Sequence, residues 1–332
     1  EINEVHHLDL SVSSSWLGLK GEFNDLDLFK FKIKQLQKQK PKKILAGGYL
    51  EPRSLYTSET YNKFGNNGLE KRCIHLGIDF WVPKYTPVHS PYNGTIVKVF
   101  NDQGEKAYGG TIILKHDTKS FTFYTLYGHL ALESIQKVVV GNKILKGDFL
   151  AFIGSSSENG NWAPHLHFQI MLSQLDYKND FPGVCYYNHI KTWKSICPDP
   201  NFIFQNESLK IKQKNPADLI LSDRLKSLGK GMSLQYKEPL HIVRGEKEYL
   251  IDRNGRYFLD MVNNVSHVGH EHPKVVMAGQ AQMSQLNTNS RYLHENITRL
   301  AKHLISTLPP ELSIIHFVKS GSEANELALR MI

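Results

Sequence analysis

The stretch Pro164-His165-Leu166-His167-Phe168-Gln169-Ile170 decides how the first half of this 332-residue chain reads. Polar and apolar residues alternate strictly along it, which is the period of a β-strand. His165, His167 and Gln169 therefore share one face, and Leu166, Phe168 and Ile170 share the other. Two imidazoles point the same way. Upstream, His75-Leu76-Gly77-Ile78-Asp79 sets a histidine and a carboxylate four residues apart, again on one face if the segment is extended. A further histidine, His129, follows an alternating run in Tyr127-Gly128-His129-Leu130. Two histidines and one aspartate would satisfy a catalytic zinc, which takes three N or O ligands and keeps a fourth position open. Neighbouring histidines near such a site can serve as general base or stabilise a developing oxyanion. On spacing alone, polar residues alternating on a half-exposed strand are the favoured reading over zinc.

Outward from this stretch, short alternating or apolar runs broken by Gly, Asn and Pro fill 29–204: TIVKVF (95–100), TIILKH (111–116), FTFYTLY (121–127), KVVV (137–140) and DFLAFIG (148–154). The pattern predicts an all-β antiparallel sandwich or barrel-like domain. FKFKIK (29–34) alternates too and is read as a half-buried edge strand with its lysines in solvent. Residues 1–28 are set apart as an N-terminal remnant or extension, and 205–235 as a linker with one short helix at 216–228. From 236 to 332 the pattern changes. Two strand-like runs flank Asp252–Gly255, where Arg-Asn-Gly favours a hairpin turn. Leu293, Ile297, Leu300, Leu304 and Leu308 then recur at helical spacing until Pro309-Pro310 stops them. Finally SIIHFV (313–318), read as a strand, leads through Lys319-Ser320-Gly321-Ser322 into a helix. That junction suits a phosphate, through free amides and the helix dipole, or is a plain Ser320-to-Glu323 capping box.

Composition excludes several classes. With 40% hydrophobic and 22% charged residues the chain is neither disordered nor fibrous, and no apolar run approaches the roughly 18 residues of a membrane span. The net charge of +8 owes much to the lysines of 30–43. These are read as a solvated face, and nucleic acid as an unlikely partner. Cys73, Cys185 and Cys197 are an odd, scattered set that gives no disulfide framework. The opening EINEVHHLDL lacks the basic and apolar regions of a secretory signal, so the compartment stays undetermined, leaning towards cytoplasmic. Helical signal runs to the last residue, and the chain is read as part of a longer polypeptide.

The stretches FGNNGLEKRCIHLGIDFWVPKYTPVHSPYNGTIVKV, GGTIILKH, YTLYGHL, GNKILKGDFLAFIGSS and PHLHFQI occur in one order over 64–170. Together they resemble the lysostaphin-like, LytM-type zinc metalloendopeptidases, familiar as peptidoglycan hydrolases. The resemblance implies that His75, Asp79 and His167 bind Zn2+ and that His129 and His165 are the catalytic histidines. The expected reaction is attack of zinc-bound water on a peptide carbonyl. Ser157–Ala163 departs from the glycine-rich turn that the resemblance implies, and the substrate groove is expected to be reshaped there. Cys73 is either a fourth, closing ligand or a buried inert thiol.

The second half, in SLQYKEPLHIVRGEKEYLIDRNGRYFLDMVNNVSHVGHEHPKVV, LNTNSRYLHENITRLAKHLISTLP and SGSEANELALR, resembles the N-terminal portion of class III pyridoxal-phosphate aminotransferases, on the branch of ethanolamine-phosphate phospho-lyases and alanine–glyoxylate aminotransferases. This implies an incomplete α/β segment in which Gly321 and Ser322 cradle the cofactor phosphate and Asn263-Asn264 lies near the substrate entrance. The family's Schiff-base lysine has no counterpart here. Pyridoxal phosphate and a dimeric state are therefore expected of the full-length protein alone, and the segment as given is expected to be inactive. The combined reading is a multidomain zinc metallopeptidase, acting on a peptide or peptidoglycan-like substrate, joined to a truncated transaminase. The alternative is a non-catalytic zinc-containing binding module accessory to that transaminase.

Overall fold

The structure is a computed structural model that describes residues 4–65, 68–211, 216–229, 231–263 and 266–332. It divides into two compact units, Glu1–Pro273 and Lys274–Ile332. In chain order the strands are β1 (Val5–His7), β2 (Ile44–Gly47), β3 (Asn62–Gly65), β4 (Gly68–His75), β5 (Ile78–Trp81), β6 (Pro87–His89), β7 (Gly94–Asp102) and β8 (Gly109–Asp117). There follow β9 (Thr122–Leu130), β10 (Lys143–Ile144), β11 (Phe149–Phe152), β12 (Leu166–Met171), β13 (Val184–Tyr186), β14 (Ile242–Glu246), β15 (Tyr249–Asp252) and β16 (Tyr257–Leu259).

Eight of these form one sheet in the order β1-β2-β5-β12-β9-β8-β7-β10, antiparallel except for the β1–β2 pair. The period-two pattern has its expected result. Ile112, Leu114, Tyr127, Phe168 and Ile170 enter one core, while Ile113, Leu126 and Met171 enter another on the opposite face, with Cys73, Cys185 and Cys197. Each such large apolar side chain contributes roughly 1.5–3 kcal/mol on burial. Between β5 and β9, register sets His167 opposite both Asp79 and Gly128, so the histidine and aspartate motifs meet by backbone pairing alone.

The N-terminal residues are more than an appendage. β1 pairs with β2, and Leu8, Leu10, Leu17 and Phe23 are buried together with Leu45, Trp81 and Trp162. Leu10 is 0% exposed. Leu10→Ala is therefore expected to cost about 2–5 kcal/mol, read as a lower urea midpoint of the whole first unit. An unchanged midpoint would mean that this segment is dispensable.

FKFKIK is not a strand. It lies within helix α2 (Leu26–Gln39), which follows α1 (Lys20–Asn24). Asp25 caps α2, its carboxylate accepting from the N–H groups of Asp27 and Leu28 at 3.0 and 2.9 Å. Leu26, Phe29, Ile33 and Leu36 recur at helical spacing and pack on the same core, an apolar stripe that outweighs six residues of alternation. KVVV instead follows helix α3 (Leu132–Gln136) as turn and coil, with Val139 and Val140 more than half exposed. Helices α4 (Ile190–Ile196), α5 (Asn201–Phe204) and α6 (Pro216–Ser227) follow, the last matching the expected short helix.

The hairpin around Asp252–Gly255 forms as read. Gly255 has φ +76, and the Asp252 carboxylate accepts from the N–H groups of Asn254 and Arg256. By contact this β14–β16 sheet belongs to the first unit, Ile251 and Tyr257 packing with Val12 and Leu69. The second unit carries α7 (Pro273–Gln285, beginning at the boundary), α8 (Glu295–Ile305) and α9 (Gly321–Met331). Residues 313–318 do not form the expected strand. Among the described residues of this unit there is no other strand to give them a ladder. No helix among the described residues is long and apolar enough to cross a membrane.

Candidate metal and catalytic centre

One ligand atom each of His75, Asp79 and His167 lies within 4.8 Å of the other two, and all three residues are buried. Asp79 Oδ1 stands 3.3 Å from His75 Nε2 and 3.1 Å from His167 Nδ1, and these two nitrogens are 2.9 Å apart. Donors at such spacings suit a tetrahedral ion with ligands at roughly 2.0–2.1 Å.

The hydrogen bonds on the far side of each ring fix the tautomers. His75 Nδ1–H donates to the Gly48 carbonyl at 3.0 Å, and His167 Nε2–H donates to Gln169 Oε1 at 2.9 Å. Each ring therefore turns a bare nitrogen towards Asp79. Three lone-pair atoms then converge, an arrangement that suits a cation.

His165 and His129 stand next to this trio, their ring centroids 4.2 Å apart. His165 Nδ1–H donates to the Ala163 carbonyl at 2.7 Å and His129 Nδ1–H to the Asn159 carbonyl at 3.2 Å, so both rings carry an unprotonated Nε2. His165 Nε2 is 3.8 Å from Asp79 Oδ1, and its ring stacks on Trp81 at 4.2 Å. His129 sits at the end of β9 with φ +64, a conformation that costs a β-substituted residue energy and is retained chiefly where surrounding structure enforces it. Burial pushes the pKa of His75 down to about 3 and that of His165 down to about 4. His129 is held well below its usual value by burial and then by His165. Burial would raise the Asp79 carboxyl, but His75, Arg53 and His165 outweigh it and hold the group well below its usual range.

Four contributors escaped the sequence reading. Arg53 Nη1–H donates to Asp79 Oδ2 at 2.5 Å, and Arg53 Nε–H to Glu51 Oε2 at 2.6 Å. Gln169 orients His167, and Tyr108 places its hydroxyl 3.4 Å from His167 Nε2. Gln169 alone had a signal, since it shares the histidine face of β12. Cys73 is buried in a neighbouring core, its Sγ 3.6 Å from the Gly255 carbonyl, and it is not one of the converging ligands. A cavity of about 370 Å3 opens over the histidines, walled by Tyr56, Tyr61, Tyr108 and Trp162.

Residues 73–179 match the family model for peptidase family M23, and residues 232–332 match that for class-III aminotransferases. The chain joins an M23 peptidase domain to a class-III aminotransferase segment. The M23 domain is similar to LytU, at 28% identity over 41% of this chain and 76% of that one, with a TM-score of 0.28. It is also similar to the catalytic domain of lysostaphin from Staphylococcus simulans, at 26% identity over 37% and 80%, with a TM-score of 0.25. The aminotransferase segment is 49% identical over 109 residues to an alanine–glyoxylate aminotransferase 2-like protein of Drosophila melanogaster, covering 32% of this chain and 22% of that protein. The chain spans about a quarter of the length of the curated relatives it matches.

In the M23 domain, the segment Ser157–Ala163 is held by Glu158, whose carboxylate accepts from Ser155 N–H, Ser155 Oγ–H and Leu132 N–H. It delivers the Asn159 carbonyl to His129 and Trp162 to the cleft wall. In the aminotransferase segment, Gly321 and Ser322 are exposed and open α9. The capping reading is realised beside them: Ser320 Oγ accepts from Glu323 N–H at 3.2 Å, and the Glu323 carboxylate accepts from Lys319 N–H at 2.6 Å. Asn263 bonds Asp260, whereas Asn264 lies outside the described residues.

Proposed function

We propose that the M23 domain is a zinc-dependent endopeptidase acting on peptide bonds of the peptidoglycan type. The convergence of bare nitrogens from His75 and His167 on the Asp79 carboxylate carries this reading, because the donor set matches a catalytic zinc. Zinc bound there supplies Lewis-acid activation of water and of a peptide carbonyl.

The chain's own residues do the rest. Neutral His165, with Nε2 towards the trio and its ring clamped on Trp81, stands where a proton leaves the attacking water. His129 offers a second Nε2 beside it, so one imidazole can hold that proton and return it to the departing amine. The Tyr108 hydroxyl, its pKa raised well above the usual value by burial, remains a donor throughout. Walls of Tyr56, Tyr61 and Trp162 align an extended peptide and exclude bulk water. In the aminotransferase segment we assign one role: the Gly321 and Ser322 amides at the head of α9 suit the phosphate of pyridoxal phosphate.

The test incubates zinc-loaded protein with pentaglycine and with muropeptides. Hydrolysis is expected to require one zinc per chain and to stop on chelation. His129→Ala is expected to keep its zinc and lose about 10²–10⁴-fold in kcat. Full zinc occupancy with no cleavage of any peptide would instead identify a binding module.

A further inference from the structure

The two oxygens of Asp79 have separate duties. Oδ1 faces the imidazoles of His75, His167 and His165 at 3.1–3.8 Å. Oδ2 is taken by the Arg53 guanidinium at 2.5 Å, and both side chains are 2% exposed. Arg53 is in turn anchored through Nε to Glu51 and through Nη2 to the Gly47 carbonyl at 3.4 Å. The Glu51 carboxylate also accepts from the Leu10 N–H at 3.2 Å.

The backbone makes this relay rigid. Residues 50–53 run beside the end of β4 through Leu50 N–H to the His75 carbonyl, His75 N–H to the Glu51 carbonyl and Arg53 N–H to the Cys73 carbonyl, at 2.8–3.1 Å. Val12 N–H bonds the Pro52 carbonyl from the other side. One short segment thus carries Glu51 and Arg53 and also holds the backbone of His75.

We propose that Arg53 is a positioning residue for the metal centre, occupying one Asp79 oxygen so that the carboxylate ligates through the other alone, with Glu51 as its buried counter-ion. This rests on the reading of His75, Asp79 and His167 as metal ligands. A carboxylate free at both oxygens can chelate an ion and use up the coordination position that catalysis needs open. The guanidinium fork prevents this and offsets part of the ligand charge. Removing Arg53 alone would strip both buried carboxylates, Glu51 and Asp79, of their guanidinium partner, so the informative variant changes both Arg53 and Glu51.

The experiment loads wild-type protein, Glu51→Gln/Arg53→Met and Arg53→Lys with cobalt(II) and with zinc(II). It records visible spectra and affinity against a competing chelator, with circular dichroism as the folding control. Wild type is expected to show the intense visible band of a four-coordinate cobalt site. The double variant should lose that band to the weaker absorption of higher coordination, with metal affinity changed about 10–100-fold. Arg53→Lys keeps the charge without the fork and should fall between them, and it carries the test if the double variant does not fold. Folded variants with the wild-type spectrum and affinity would overturn the role of Arg53. Failure of wild type to take up either metal would overturn the metal site itself.

Discussion

His167→Ala is expected to abolish zinc binding and, with it, peptide hydrolysis. His167 lies opposite Asp79 and Gly128 in the sheet, so its ring is the one that joins the two motifs across β5, β12 and β9. Truncation leaves His75 and Asp79 as a two-donor remnant. Loss of an outer partner of a metal ligand costs about 10–100-fold in affinity, and loss of the ligand itself should exceed that. A thermal readout separates this from misfolding. Zinc at a thousand times its Kd stabilises the wild type by about 4 kcal/mol and should give His167→Ala nothing. The metal-free variant should melt near the metal-free wild type, because truncation also removes the close approach of two unprotonated nitrogens 2.9 Å apart. A variant that still holds one zinc per chain would remove His167 from the ligand set.

That His167 could be read from sequence, while Arg53 could not, has a physical reason. The histidine face of β12 follows from a period of two over six residues, and a strand buried on both faces preserves that period. His75 and Asp79 were legible in the same way, because β4 and β5 meet across a single tight connection. Arg53 has no such local pattern. Its role arises from residues 50–53 pairing with residues 73–75, a contact between segments about twenty residues apart in the sequence. The N-terminal segment lay between these cases. Leu8, Leu10 and Val12 alternate and are only 3%, 0% and 0% exposed, so a signal for strand-like burial was present beneath the acidic and histidine-rich opening. In FKFKIK two periods competed, and the decisive evidence, the Asp25 cap and the apolar residues at 26, 29, 33 and 36, extended beyond the alternating stretch. Residues 313–318 show the converse limit: an apolar run becomes a strand only where a neighbour offers a ladder.

Metal-free protein should lose stability steeply as pH falls from about 6.5 to about 4. An unfolded histidine titrates near 6.5, whereas native His75 and His165 are held down to about 3 and about 4, and His129 well below its usual value. Between those limits the unfolded chain binds protons that the native chain refuses, so stability falls with pH. Each ring contributes up to about 1.4 kcal/mol per pH unit, and the three together up to about 4, against a total stability of roughly 5–15 kcal/mol. The slope should lessen near pH 4, where native His165 begins to accept its own proton. Asp79 does not enter this window. Its depressed native value confers stability that is lost only below the ordinary carboxylate range. Urea midpoints in chelator at pH 7.5, 6.5, 5.5 and 4.5 measure the effect, and His165→Phe should reduce the proton uptake on unfolding by one. Saturating zinc should move the whole transition to lower pH, since the ion occupies the nitrogens that acid must reach. A midpoint that stayed flat from pH 7 to 5 in chelator would mean that the rings are solvated or already protonated in the native state, and the convergence of bare nitrogens on Asp79 would no longer argue for a metal.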